Sequence, residues 1–76
     1  MIDLAAIRRA TGLTQTELAH SIGVGQAQIS KIERHNDMLI STLASYLTAL
    51  GVRASLVVEV GEQIVTYDLT GGRGAQ

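Results

Sequence analysis

Cysteine, phenylalanine and tryptophan are absent from this sequence. Without cysteine there is no disulfide framework, no zinc knuckle and no thiol nucleophile. The aromatic residues reduce to Tyr46 and Tyr67, so the stacking platform of a single-strand or RNA binder is missing. Excess positive charge is missing too: the formal net charge is -1, with 17% charged residues, whereas a free-standing nucleic-acid-binding domain is usually basic. Long apolar runs are lacking, the stretch from residue 4 to residue 7 being the longest. It falls far short of a membrane span, and no basic-then-apolar signal peptide opens the chain. A soluble, cytoplasmic protein with no membrane association is the expectation.

What is present is a chain of 76 residues with 46% hydrophobic content, which reads as one small globular unit apart from the Gly-rich end "TGGRGAQ". A chain of this size buries roughly two-thirds of its unfolded surface, a thin stability margin that favours a partner. Charge is unevenly spread. Arg8, Arg9, Lys31 and Arg34 outnumber Asp3, Glu17 and Glu33 in residues 1–36, while Asp37, Glu59, Glu62 and Asp68 outnumber Arg53 and Arg73 in the remainder. An anionic ligand is therefore expected on the N-terminal half.

Asp3 can cap a first helix with Leu4, Ile7 and Ala10 at helical spacing, and Gly12 can stop it. Thr14 with Glu17 three residues on is a capping box, and Leu13 can staple onto Leu18, which predicts a second helix over Gln15–Ile22. In Gly23-Val24-Gly25, Gly23 supplies the positive φ of a sharp turn and Gly25 an N-cap for a third helix over Gln26–Arg34. Val24 and Ile29 repeat the staple. After "RHND", Ser41 can cap a fourth helix carrying Leu43, Tyr46, Leu47 and Leu50, ended by Gly51.

From Val52 the period changes to two. Centred on Gly61-Glu62 as a type II′ turn, a hairpin pairs Val60 with Gln63, Val58 with Val65, Leu56 with Tyr67 and Ala54 with Leu69. That register gathers Ala54, Leu56, Val58, Val60, Val65, Tyr67 and Leu69 on one face and leaves a mostly polar opposite face. The fold expected is mainly α with a C-terminal β-hairpin: a four-helix domain over 1–51, a two-stranded antiparallel extension over 52–70 for dimerisation or partner binding, and a flexible tail over 71–76.

Around the third helix Ile29 and Ile32 mark the buried side, and the opposite arc holds Ala27, Ser30, Lys31 and Arg34, with Gln26 exposed at its start. Any small helical protein needs a solvated face. This one, however, offers the groups that read duplex DNA: Gln pairs bidentately with adenine, Lys with guanine, Ala touches a thymine methyl, and Arg and Ser suit phosphate. A helix presenting them behind a tight turn matches a recognition helix in a major groove.

These residues resemble the helix-turn-helix of lambdoid phage repressors and the wider XRE family: Gln15 opening the second helix, Ala19 at its fifth position, Gly23 at the turn, and apolar Leu18, Ile22, Val24, Ile29 and Ile32. The resemblance covers residues 3–51 and implies a lambda-repressor-like fold. It implies that Gln15 anchors a phosphate at the start of the second helix, where backbone N–H groups and the helix dipole also favour an anion. It further implies that Gln26, Ala27 and Lys31 read bases, with Gln28 and Ser30 flanking them, that Arg34 contacts the DNA backbone, and that Arg8 and Glu33 form an interhelical ion pair. "NDMLISTLASYLTALG" followed by "LVVEVGEQIVTYDL" is similar to the C-terminal part of HigA-like antitoxins of toxin-antitoxin systems. The function expected is an antitoxin-type autorepressor that binds an inverted repeat in double-stranded DNA as a homodimer, with Leu56, Val58, Val65, Tyr67 and Leu69 at the dimer interface. A cognate toxin is a further possible partner.

Two other readings share the sequence: a protein-interaction module that neutralises a toxin with little DNA binding, and a stand-alone prophage-type repressor. Enzymatic activity is not expected. Ser21, Ser30, His20, His35 and Asp37 form no nucleophile elbow, metal spacing or paired carboxylate, and Gly23-Val24-Gly25 lacks the Lys and spacing of a phosphate loop. Neither a catalytic residue nor a metal or cofactor is assigned, and Tyr46 is read as core.

Overall fold

Asp3 opens the first helix by accepting the Ala6 N–H at 3.0 Å, and the second helix starts from comparably local chemistry. In the computed structural model, which describes residues 2–35 and 37–71, the order is α1 (Leu4–Thr11), α2 (Gln15–Ile22), α3 (Gln26–Arg34), α4 (Ile40–Leu50), β1 (Ser55–Val60) and β2 (Gln63–Asp68). The Gly-rich tail from residue 72 onward lies outside the described residues. At α2 the Thr14 side chain accepts the Glu17 N–H and the Glu17 carboxylate accepts the Thr14 N–H, a closed capping box. Gly23 then turns the chain with φ 91°, a left-handed conformation that costs a residue with a Cβ.

The helices enclose a core of Leu4, Leu18, Ala19, Ile29, Tyr46, Leu47 and Leu50. Ile7, Leu13, Ile22, Ile32, Met38 and Leu43 pack around it, half-buried. Two local expectations are corrected. Ser41 does not cap α4; the cap is Leu39, which makes no side-chain hydrogen bond. Met38 packs against the core, and the Leu39 carbonyl accepts the Leu43 N–H at 3.1 Å, which closes the first turn before Ser41 can serve. The staple of Val24 onto Ile29 is loose, since Val24 stays 39% exposed while Ile29 is fully buried.

The hairpin has the register expected from its alternation: Leu56 faces Tyr67, Val58 faces Val65 and Val60 faces Gln63. Gly61 has φ 60°, and no described non-glycine residue has a positive φ, so Glu62 does not. These are the signs of a type II′ turn, which suits the twist of the strands. At the open end the Leu69 N–H reaches the Ala54 carbonyl and the Ala54 N–H reaches the Thr70 hydroxyl, both at 3.0 Å. Ala54 and Leu69 pack against the helical core. Leu69 keeps the face expected for it, and at the hairpin base it is half-buried against the helices of its own chain. Beyond it Leu56, Val58, Val60, Val65 and Tyr67 are exposed, between 43% and 60%.

Candidate nucleic-acid interface

The helical spacing of Ile29 and Ile32 turns one side of α3 inward and leaves Gln26, Ala27, Gln28, Lys31 and Arg34 exposed, with Ser30 half-buried. The two ends of this face are held differently. Near the C-terminus the Arg34 guanidinium donates to the Ser30 hydroxyl one turn back, so Ser30 orients Arg34. At the N-terminus the Gln26 amide Nε2 donates to Gln15 Oε1 at 2.6 Å, and Gln15 Nε2 donates in turn to Glu33 Oε1 at 2.9 Å.

Glu33 is the hub beneath this face. Arg8 Nε lies 2.7 Å from its Oε2 and Arg8 Nη2 lies 3.3 Å from its Oε1, a two-pronged ion pair joining α1 to α3. Arg8 Nη1 also donates to the Leu13 carbonyl at 2.9 Å. The Tyr46 hydroxyl, reaching across from α4, donates to Glu33 Oε2 at 2.6 Å and lies 3.2 Å from the Leu4 carbonyl. Burial works against the charge on Glu33, yet the hydrogen bonds from Arg8, Tyr46 and Gln15 outweigh it and hold the carboxyl below the usual glutamate range. The hydrogen bond to Glu33 raises Arg8 against an opposing effect of burial. For Tyr46, burial and the neighbouring carboxylate both disfavour ionisation and push the phenol well up. No buried side-chain polar atom among the described residues lacks a hydrogen-bond partner, as a stable polar network requires.

Gln15 and Tyr46 make contacts that the sequence reading does not include. Gln15, expected to face a phosphate, spends its amide oxygen on Gln26 and one amide hydrogen on Glu33. Only its second amide hydrogen is left to face outward. Tyr46, read simply as core, is fully buried yet ends in a polar contact that the sequence reading missed. The available signal was general: a buried tyrosine hydroxyl usually finds a hydrogen-bond partner.

Among the described residues no group of three or more His, Asp or Glu side chains could hold a metal ion. No helix there is long and apolar enough to cross a membrane.

Comparison with known proteins converges on this geometry. The chain is 40% identical over 67 residues to the antitoxin HigA3 of Mycobacterium tuberculosis, covering 82% of this chain and 60% of the relative. It is 41% identical over 58 residues to the antitoxin HigA1 of the same species, covering 75% of this chain and 39% of the relative. It thus spans 60% and 39% of the lengths of these relatives. A solved structure of DNA-bound antitoxin HigA3 superposes with a TM-score of 0.79 at 38% identity, covering 87% of this chain and 88% of that one. Another, of a HigA antitoxin described as bending DNA through a unique dimerisation, gives 0.77 at 38% identity, with 87% and 88% covered. A family model described as helix-turn-helix matches residues 4–57, a span that takes in α1 to α4 and the start of β1, and the chain belongs to that helix-turn-helix family.

Proposed function

We propose that this chain is a sequence-specific regulator of transcription of the antitoxin type, which binds an inverted repeat in double-stranded DNA as a homodimer. The observation that carries the reading is the outward face of α3, where Gln26 stands exposed but is held by Gln15, beside Ala27 and Lys31. In this reading Gln26, Ala27 and Lys31 read base edges, Gln28 flanks them, Gln15 supports Gln26 and lends its free amide hydrogen to a phosphate, and Arg34, braced by Ser30, contacts the backbone. The solved DNA-bound relative at 38% identity supports it. Residues 1–51 serve as the DNA-binding unit and 52–70 as the assembly unit, in the cytoplasm where the DNA lies. No catalytic role is assigned.

The exposed apolar patch of the hairpin supports the dimer. Leu56, Val58, Val65 and Tyr67 offer one contiguous surface, and the outer strand edges offer unpaired backbone groups. A second copy satisfies both and sets two α3 helices about one helical turn of DNA, roughly 34 Å, apart. The same patch favours the second reading, a module that caps a toxin, because an apolar partner could cover it equally well.

Enrichment from a pool of random duplexes, followed by footprinting upstream of the chain's own gene, tests the function. An inverted repeat should emerge, with a salt dependence shallower than for a strongly basic repressor. Gln26→Ala or Lys31→Ala should each cost about 1 to 3 kcal/mol on the enriched site and relax one base pair, whereas Arg34→Ala should weaken all sequences alike. Equal affinity for every duplex at physiological salt would leave the toxin-capping reading in its place.

A further inference from the structure

We propose that Tyr46 is a positioning residue for DNA reading: through Glu33 and Gln15 it fixes which end of the Gln26 amide faces the bases. The inference rests on the DNA-reading function above. Its basis is the direction of each hydrogen bond. An ionised carboxylate can only accept, so the group that Gln15 turns toward Glu33 must be its Nε2, 2.9 Å from Oε1. Gln15 Oε1 is thereby turned outward, and Gln26 must meet it with Nε2, at 2.6 Å. What remains of the Gln26 amide is one N–H and the carbonyl oxygen, the donor and acceptor pair that adenine takes in the major groove. The relay selects one of the two amide orientations, and with it the side on which donor and acceptor are offered.

The relay transmits an orientation only if the carboxylate itself is fixed. Its Oε1 takes Gln15 and Arg8 Nη2, and its Oε2 takes Arg8 Nε and the Tyr46 hydroxyl. Arg8 holds both oxygens from α1, one prong to each. The phenol is the further anchor, from a different helix and from a fully buried ring that cannot swing away. Its 2.6 Å contact with Glu33 is much shorter than its 3.2 Å contact with the Leu4 carbonyl, so its single proton belongs to the carboxylate. Tyr46 lies on α4, away from the reading face, and touches no base in this scheme.

The test uses the full chain and the duplex enriched by the wild-type protein. Affinities of wild type, Tyr46→Phe, Gln26→Ala and the double variant are measured on that duplex and on each of its single-base-pair variants. Gln26→Ala identifies the base pair that Gln26 reads. Tyr46→Phe should lower discrimination at that pair by about three- to tenfold, as loss of one hydrogen bond allows, leave the other positions within about twofold, and add nothing in the Gln26→Ala background. Wild-type discrimination at that pair in Tyr46→Phe, or an equal loss at all positions, overturns the assignment. A wild-type chain that enriches no sequence overturns the DNA-reading function and this inference together; normal enrichment with an unresponsive Tyr46→Phe overturns this inference alone. Should Tyr46→Phe fail to fold, 3-fluorotyrosine in the otherwise unaltered chain decides. The fluorine resonance of Tyr46, assigned with Tyr67→Phe, should move when the duplex is added and stay still in Gln26→Ala, and a resonance that ignores the duplex in both overturns the assignment.

Discussion

The helical part and the hairpin of this protein place their polar and apolar groups in opposite ways. Among α1 to α4, Arg8 and the fully buried Tyr46 are drawn inward with Glu33, and each finds its partners within the chain. Along β1 and β2 the valines, leucine and tyrosine of the alternating face stand in solvent, and only the hairpin base, at Ala54 and Leu69, is covered by the helices. The polar network of the first region closes within one chain. The other has the surface of half a core, and an isolated two-stranded sheet is marginal in water.

Changes that make the two regions alike should show how much each difference matters. The largest effect is expected from Leu56→Asp combined with Tyr67→Asp, which puts charge on a directly opposed pair of the bare face, next to the covered hairpin base. Sedimentation should show a monomer where the wild type is a dimer, helical circular dichroism should persist, and affinity for an inverted repeat should fall roughly a hundredfold or more as the linked second half-site is lost. A wild type that is monomeric at micromolar concentration would assign the hairpin to a different partner.

Next comes Glu33→Gln, which leaves Arg8 without its counter-charge. Thermal unfolding should register a loss of about 1 to 3 kcal/mol, less than for a fully buried pair. Acid gives the same information without mutation. Because the folded state holds Glu33 below its ordinary value of 4.5, the stabilisation is complete above that pH and is lost as pH falls through the lower folded-state value. Glu33→Gln should remove that part of the acid dependence; a pair that is merely solvated would change neither curve.

The smallest effects separate two helix starts within the same domain. Thr14→Ala opens the α2 capping box and should cost about 1 kcal/mol, while Ser41→Ala, which removes no cap, should stay within about 0.5 kcal/mol. Equal losses in denaturant melts would return the cap of α4 to Ser41.

Legibility in the sequence followed the range of the forces involved. The hairpin register could be read because a period of two and one glycine at the turn favour the pairing that gathers most of the apolar side chains on one face. The α2 start was legible for the same reason, Thr14 and Glu17 being three residues apart. Ser41 misled because cap preference is local, whereas the packing of Met38 on a distant core decides where α4 begins. The hydrogen bond from Tyr46 to Glu33 was hidden because it depends on how α4 crosses α3, which no spacing within either helix encodes. The partial cover on Leu69 was hidden on similar grounds: alternation assigns the residue its face but not the neighbour that half-buries it at the hairpin base.

The bare sheet face has a consequence in mass action. A regulator whose paired half-sites are filled only by a dimer built on that face occupies its DNA in proportion to the square of chain concentration, as long as most chains are single and most sites empty. Halving the chain supply then cuts occupancy about fourfold in that regime. The uncovered valines would make the response to dilution steeper than any one α3 helix could achieve, and would set the concentration below which the DNA is released.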